Sequence, residues 1–387
     1  MYKFRLFIIT ISLFSSLFAS AVTVRRPAHH RKVVKILSVD GGGVRGVIPT
    51  LILSAIEERL EKKNSIHHCF DIMAGTSTGA LIVLALNVKD EKGLPKYYLT
   101  DIMDLYETLS NQVFARSWAK WFTSLGGWRT AKYDSEVLEG FLARFFLDAK
   151  LSETFKKVLV PAFNLTSHKM HFFRTTQARL FPLKDYFLKD IARATSAAPT
   201  YFEAAHLYNH RQTYNAYFID GGVGINNPTI SAIVHAIELY GRNSIFFVLS
   251  IGTGSSKFSF EDNVKVLKMP IKSMGKIDWA PQIVNVLMDS VSDVTHYQAS
   301  VGLPPRYYYR LQVHLPADLM QMDNGDPENL AHIKKYVEKF IIKNNKVLDK
   351  IATMLDRDDQ SQLDSIQSRF KETVLSEVEA ANSQSTS

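Results

Sequence analysis

Cysteine is almost absent: Cys69 is the single one in 387 residues. One thiol cannot close an internal disulfide or build a cysteine-based metal site, so the chain is neither a disulfide scaffold nor a cysteine-ligated zinc module. Long apolar runs are missing as well. Leu6 to Phe18 is too short to span a bilayer, and no later stretch does better. With Lys3 and Arg5 before it and Ala19-Ser20-Ala21 after it, this stretch reads as a signal peptide over residues 1–21, cleaved after Ala21. No cysteine stands just after it, which excludes a bacterial lipoprotein anchor. The expected destination is secreted or periplasmic. Cleavage removes two positive charges and no acid, taking the net charge from +8 to +6. That balance suits peripheral contact with an anionic lipid surface. Residues 22–32 form a basic arm with Arg25, Arg26, Arg31 and Lys32, but no aromatic residue interleaves with it, so a nucleic-acid partner has no support.

What is present is alternation. Apolar runs at 33–39, 70–74, 157–163, 216–220 and 245–251 read as strands. Helical patterns at 50–62, 80–87, 134–147, 185–196 and 229–240 separate them. This order predicts an α/β domain whose mostly parallel central sheet is covered by helices on both faces. Cys69 precedes the second strand and is expected to be a small buried residue. From Ala331 onward the pattern is helical and increasingly charged, with Leu363, Ile366, Phe370 and Val374 on one stripe that is expected to pack on the main domain. The domain plan is therefore a main domain over 33–330 and a helical segment with a polar tail over 331–387.

Two glycine motifs carry the chemistry. In "DGGGVRG", Gly41, Gly43 and Gly46 match G-x-G-x-x-G between a strand and a helix. A strand, a glycine turn and a helix aim free amides at an anion, which suits both a phosphate cradle and an oxyanion hole. The second motif separates them. Gly75-Thr-Ser77-Thr-Gly79 matches G-x-S-x-G, again between a strand and a helix, the context of a nucleophile elbow. A dinucleotide fold would put an acidic residue at the end of this second strand, and a P-loop would put Lys-Ser/Thr where Val47-Ile48 stands. A serine nucleophile needs donors for a developing oxyanion, and the amides of Gly42 and Gly43, with Arg45 nearby, are candidates. "AYFIDGGVGINNP" then offers Asp220 at a strand end as the group that takes the serine proton.

"DGGGVRG", "GTSTG" and "DGG", in this order, resemble the patatin-like phospholipases, the plant lipid acyl hydrolases and their bacterial relatives. The resemblance runs from about Val33 to about Gly302 and includes "RATSAAPTYF" at 193–202, "NNPT" at 226–229 and "LSIGTG" at 249–254. It implies a three-layer α/β/α fold and cleavage of fatty-acyl esters of membrane lipids by a Ser–Asp dyad without cofactor or metal. Ser77 would be the nucleophile, Asp220 the general base, Gly75 and Gly79 the elbow glycines, and Gly41, Gly42, Gly43 and Arg45 the oxyanion hole. Ala80, Asn164 and Gly224 depart from the family pattern without touching these motifs.

Alternatives remain at this stage. His235, His296, His314 and His332 follow Asp220 and could complete a Ser…Asp…His triad, although none stands in a glycine-rich or strand-end context. A silent lipid-binding protein on the same fold, or a nucleotide-dependent oxidoreductase, would also use parts of these motifs. "VFARSWAKWFTSLGGW" at 113–128 holds Trp118, Trp121 and Trp128 with Arg116 and Lys120 between them, which suits either a lipid–water interface or a packed loop. Asn164-Leu-Thr166 matches a glycosylation acceptor but falls at a strand end and reads as structural.

Overall fold

The structure is a computed structural model that describes residues 33–62, 65–109, 113, 131–256 and 276–357. The expected signal peptide, the basic arm, the aromatic segment apart from Val113, and the 363–374 stripe lie outside the described residues.

Seven strands follow one another across the main sheet in the order β5-β6-β3-β2-β1-β7-β9, with β4 paired to β3. They are β1 (Val33–Val39), β2 (Ile72–Gly75), β3 (Lys157–Asn164), β4 (Lys169–Arg174), β5 (Ala205–Tyr208), β6 (Asn215–Asp220), β7 (Ile245–Ile251) and β9 (Tyr308–Leu311). β3, β2, β1, β7 and β9 run parallel, whereas β4 and β6 pair with β3 antiparallel. Two short strands, β8 (Ser255–Ser256) and β10 (His314–Leu315), form a separate ribbon.

The central strands read as unbroken apolar runs because both their faces are buried. Val34, Ile36, Ile72, Ala74 and Val248 pack on one face with Ala232, Ile233 and Ala236 of helix α8 (Thr229–Tyr240) and Ala299 of helix α9 (Lys276–Gly302). Their alternates Leu37, Met73 and Leu249 are buried too. This is the three-layer α/β/α arrangement.

The five expected strands are all present. Helix α1 (Val47–Glu57) begins three residues earlier than its periodicity indicates, which places Pro49 in the first turn, where its missing N–H breaks no bond. The polar edge strands β4 and β5 carry no long apolar run and are additions to the sequence reading. Cys69 is half-buried rather than enclosed, and burial pushes its thiol up to about 11. The boundary expected at 330/331 falls inside helix α10 (Pro327–Lys343). That helix packs on α1 and belongs, with α11 (Asn345–Asp356), to one compact unit spanning Val33–Arg357.

One feature of the sheet positions the site. Along β3 the partner changes: Leu159 pairs with Ala74 of β2, and Ala162 pairs with Asp220 of β6. Because β2 is parallel and β6 antiparallel to β3, the C-terminal ends of β2 and β6 approach each other at that handover.

Candidate active site

Ser77 lies two residues beyond the end of β2 and caps helix α2 (Thr78–Ala85). Its backbone is at φ 52° and ψ −122°, a strained conformation for a residue with a side chain. The neighbourhood holds it there. Its amide donates to Thr195 Oγ1 at 3.0 Å, and Thr195 in turn donates to the Pro161 carbonyl at 2.7 Å, inside the handover on β3. Thr195 ends helix α6 (Leu188–Thr195) within the "RATSAAPTYF" block. The flanking glycines answer to close approach: a Cβ at Gly75 would run into the Gly79 carbonyl, and one at Gly79 into the Val39 carbonyl.

Asp220 closes β6 and is fully buried. Its Oδ1 accepts the Gly222 amide at 2.7 Å. Its Oδ2 is buried and has no hydrogen-bond partner among the described residues. Burial pushes the carboxyl up to about 7, against the lowering by the Gly222 amide and the neighbouring Ser77 hydroxyl. A carboxylate lifted to about 7, lining one cavity with Ser77, has the basicity that an exposed aspartate lacks.

The glycine loop enters from the end of β1. The Gly41 amide, placed among the oxyanion donors by the family resemblance, is already spent on the Asn226 carbonyl at 3.1 Å. Gly41 anchors the loop instead. The amides of Gly42 and Gly43 have no partner among the described residues, and both glycines line the same cavity as Ser77 and Asp220. Arg45 is also placed differently from expectation. Its side chain is buried, does not line the cavity, and donates from Nε to the Gly42 carbonyl at 3.3 Å.

The cavity offers about 70 Å³ of space to water-sized groups. Its walls are chiefly apolar, from Leu81, Leu109, Leu138, Phe202, Met288 and Met322, a chemistry suited to a hydrocarbon chain. Asp323 also lines it, and accepts from the Tyr133 hydroxyl and from Lys132 Nζ, each at 2.5 Å.

None of the four histidines considered as alternative bases lines this cavity. His235 pairs with Glu238, His296 with the Tyr308 hydroxyl, and His314 with Ser255. Asn164 is buried at the end of β3, where its side chain accepts the Ser167 amide. Thr195, Thr253, Asn226 and the residues that anchor the loop had no individual signal in the sequence. Their blocks stood out only through family resemblance, because a hydroxyl that binds a distant backbone group leaves no local pattern.

The comparison that decides the family is with its sequence model, described as "Patatin-like phospholipase", which matches residues 37–233. The chain belongs to the patatin-like phospholipase family. Patatin-like protein 2 of Arabidopsis thaliana is 31% identical over 355 residues, covering 82% of this chain and 85% of the relative. Patatin-like protein 1 of the same plant is 30% identical, covering 84% of each chain. Patatin group J-1 of Solanum tuberosum is 26% identical over 84% of this chain and 87% of the relative. Membership makes the chain a lipid acyl hydrolase.

Proposed function

We propose that this patatin-like chain is an exported, phospholipase A-type serine hydrolase that cleaves fatty-acyl esters of membrane lipids through a Ser77–Asp220 dyad. The observation that carries the reading is the meeting of Ser77 and Asp220 in one apolar cavity, with the carboxyl lifted to about 7. Asp220 takes the Ser77 hydroxyl proton as Oγ attacks the acyl carbonyl. The resulting oxyanion lies against the amides of Gly42 and Gly43. Collapse returns the proton to the departing alkoxide, releasing a lysolipid and leaving an acyl-Ser77 ester. Water, deprotonated by Asp220, then attacks that ester and frees the fatty acid.

Export is proposed from Lys3, Arg5, the short apolar run and Ala19 to Ala21. Peripheral membrane contact through residues 113–128 rests on their tryptophans and interspersed cations.

The test is fatty-acid release from phospholipid by purified protein. Ser77→Ala and Asp220→Asn should each lower turnover by several orders of magnitude, with the double variant little worse than either single one, since the two act as a unit. Full activity in folded Ser77→Ala protein would overturn the reading.

A further inference from the structure

We infer that Thr253 is a positioning residue for the oxyanion hole: its hydroxyl sets the peptide plane between Gly41 and Gly42 so that the Gly42 amide faces the reacting ester. The inference rests on the reading of Gly42 and Gly43 as oxyanion donors.

Sheet register brings the two segments together. Val39 at the end of β1 pairs with Ile251 at the end of β7, and the Asp40 amide donates to the Ile251 carbonyl at 3.0 Å. Gly41 and Thr253 each stand two residues beyond that last pair. Thr253 is buried, and its Oγ1 donates to the Gly41 carbonyl at 2.6 Å. The other side-chain donor to this carbonyl, Asn226 Nδ2, stands at 3.5 Å, the outer limit of a hydrogen bond. Thr253 is therefore the principal partner.

A trans peptide places its C=O and the following N–H on opposite sides. Drawing the Gly41 carbonyl toward Thr253 turns the Gly42 amide the other way. This control matters because a peptide between two glycines meets little steric resistance to rotation. The Thr253 side chain also fills the space that a Cβ on Gly42 would need, so the loop lies directly against it. The next peptide is held at the Gly42 carbonyl by Arg45, whose backbone amide and Nε both donate to it at 3.3 Å, and this sets the direction of the Gly43 amide. One side chain from the link after β7 and one residue within the glycine loop thus hold two successive peptides.

The experiment uses the full chain, a soluble p-nitrophenyl ester and a trifluoromethyl ketone whose hemiketal oxygen mimics the oxyanion. Thr253→Val keeps the shape and deletes the hydroxyl. Its kcat should fall on the order of tenfold to a hundredfold, approaching the loss of one oxyanion donor. KM should change less than threefold, ketone affinity should fall in step with kcat/KM, and Thr253→Ser should restore most of both. If valine is not tolerated, Thr253→Ala removes the hydroxyl without adding bulk and is held to the same expectation. Active sites are counted by fluorophosphonate labelling, so that a loss of folded protein does not register as a loss of kcat. Wild-type kcat and ketone affinity in a folded hydroxyl-free variant, alongside an inactive Ser77→Ala, would overturn this inference alone. An active Ser77→Ala would instead overturn the reading on which it rests.

Discussion

Arg310 grips both oxygens of Asp40, with Nη1 on Oδ1 at 2.8 Å and Nη2 on Oδ2 at 2.5 Å. Asp40 is buried and the Arg310 side chain is only 9% exposed, and Asp40 is the residue immediately before the glycine loop. Arg310 Nη1 also donates to Ser250 Oγ, which accepts from Thr229 Oγ1 at the start of α8. Strands β1, β7 and β9 and one covering helix are thereby joined beneath the loop. Burial raises the Asp40 carboxyl more than Arg310 lowers it, so the charge of Asp40 depends on its partner.

Removing one member of this pair should cost more than removing both. Arg310→Met leaves a buried carboxylate unpaired and is expected to destabilise the fold by about 3–5 kcal/mol. Arg310→Met with Asp40→Leu should be milder, because no uncompensated charge remains. Denaturant unfolding of the two singles and the double provides the check, with a loss in the double well below the sum of the two singles as the expected result. Additive losses would show that the pair contributes nothing as a pair.

Asp220 makes two pH predictions of opposite sense. Its proton must be absent for it to act as base, so kcat/KM should rise with pH through about 7 and then level off. Stability should move the other way. The folded-state pKa is raised above the ordinary carboxylate value of 3.8, so the folded protein holds a proton that the unfolded chain has lost between those two values. The favourable contribution is fully present below pH 3.8 and is lost as pH rises through about 7. Asp220→Asn carries no such charge, so its stability relative to the native protein should improve from pH 4 to pH 8, by on the order of 4 kcal/mol. Paired pH titrations of activity and of chemical denaturation test both. A flat stability difference would show that the carboxyl is not lifted.

How far the sequence carried depended on whether the signal was local. β1 and β7 were readable to the residue, since a strand buried on both faces is a continuous apolar run. The elbow was readable because G-x-S-x-G answers to backbone crowding within five residues. β4, half-exposed and polar at Lys169, His171 and Arg174, had no such run, and pairing with β3 decides its conformation. The handover on β3 that brings Ser77 to Asp220 is a matter of sheet order over more than a hundred residues. The family resemblance paired these two residues, whereas the Gly41 amide is taken up by Asn226, a contact between distant loops that leaves no local pattern.

Gly43 offers a sharper test of the loop than a bulky replacement. It stands at φ 60°, and a Cβ there would run into the Met322 carbonyl, which accepts the Val44 amide at 2.8 Å. Even Gly43→Ala must therefore displace the loop from Met322. Turnover should drop on the order of a hundredfold or more, as for loss of an oxyanion donor, while binding of a non-hydrolysable ether lipid changes little. Equal loss of binding and turnover would mean that the loop shapes the pocket rather than the transition state.

Leu138 tests whether the apolar cavity measures the acyl chain. It is buried on helix α4 (Ser135–Phe146), lines the cavity, and has no role in the dyad or the glycine loop. Leu138→Trp takes up space that a hydrocarbon chain would fill, and each excluded methylene forfeits about 0.8 kcal/mol of transfer free energy. Loss of two methylenes' worth of space should lower kcat/KM for long-chain esters on the order of tenfold relative to an acetyl ester. Leu138→Ala should shift the preference toward longer chains, though it also leaves a cavity that costs about 2–5 kcal/mol of stability. Opposite shifts in chain-length preference, measured on an ester series below the melting temperature of each variant, would assign this wall to the acyl group. If both variants lowered activity equally on acetyl and palmitoyl esters, Leu138 would be a packing residue and the acyl chain would lie elsewhere in the cavity.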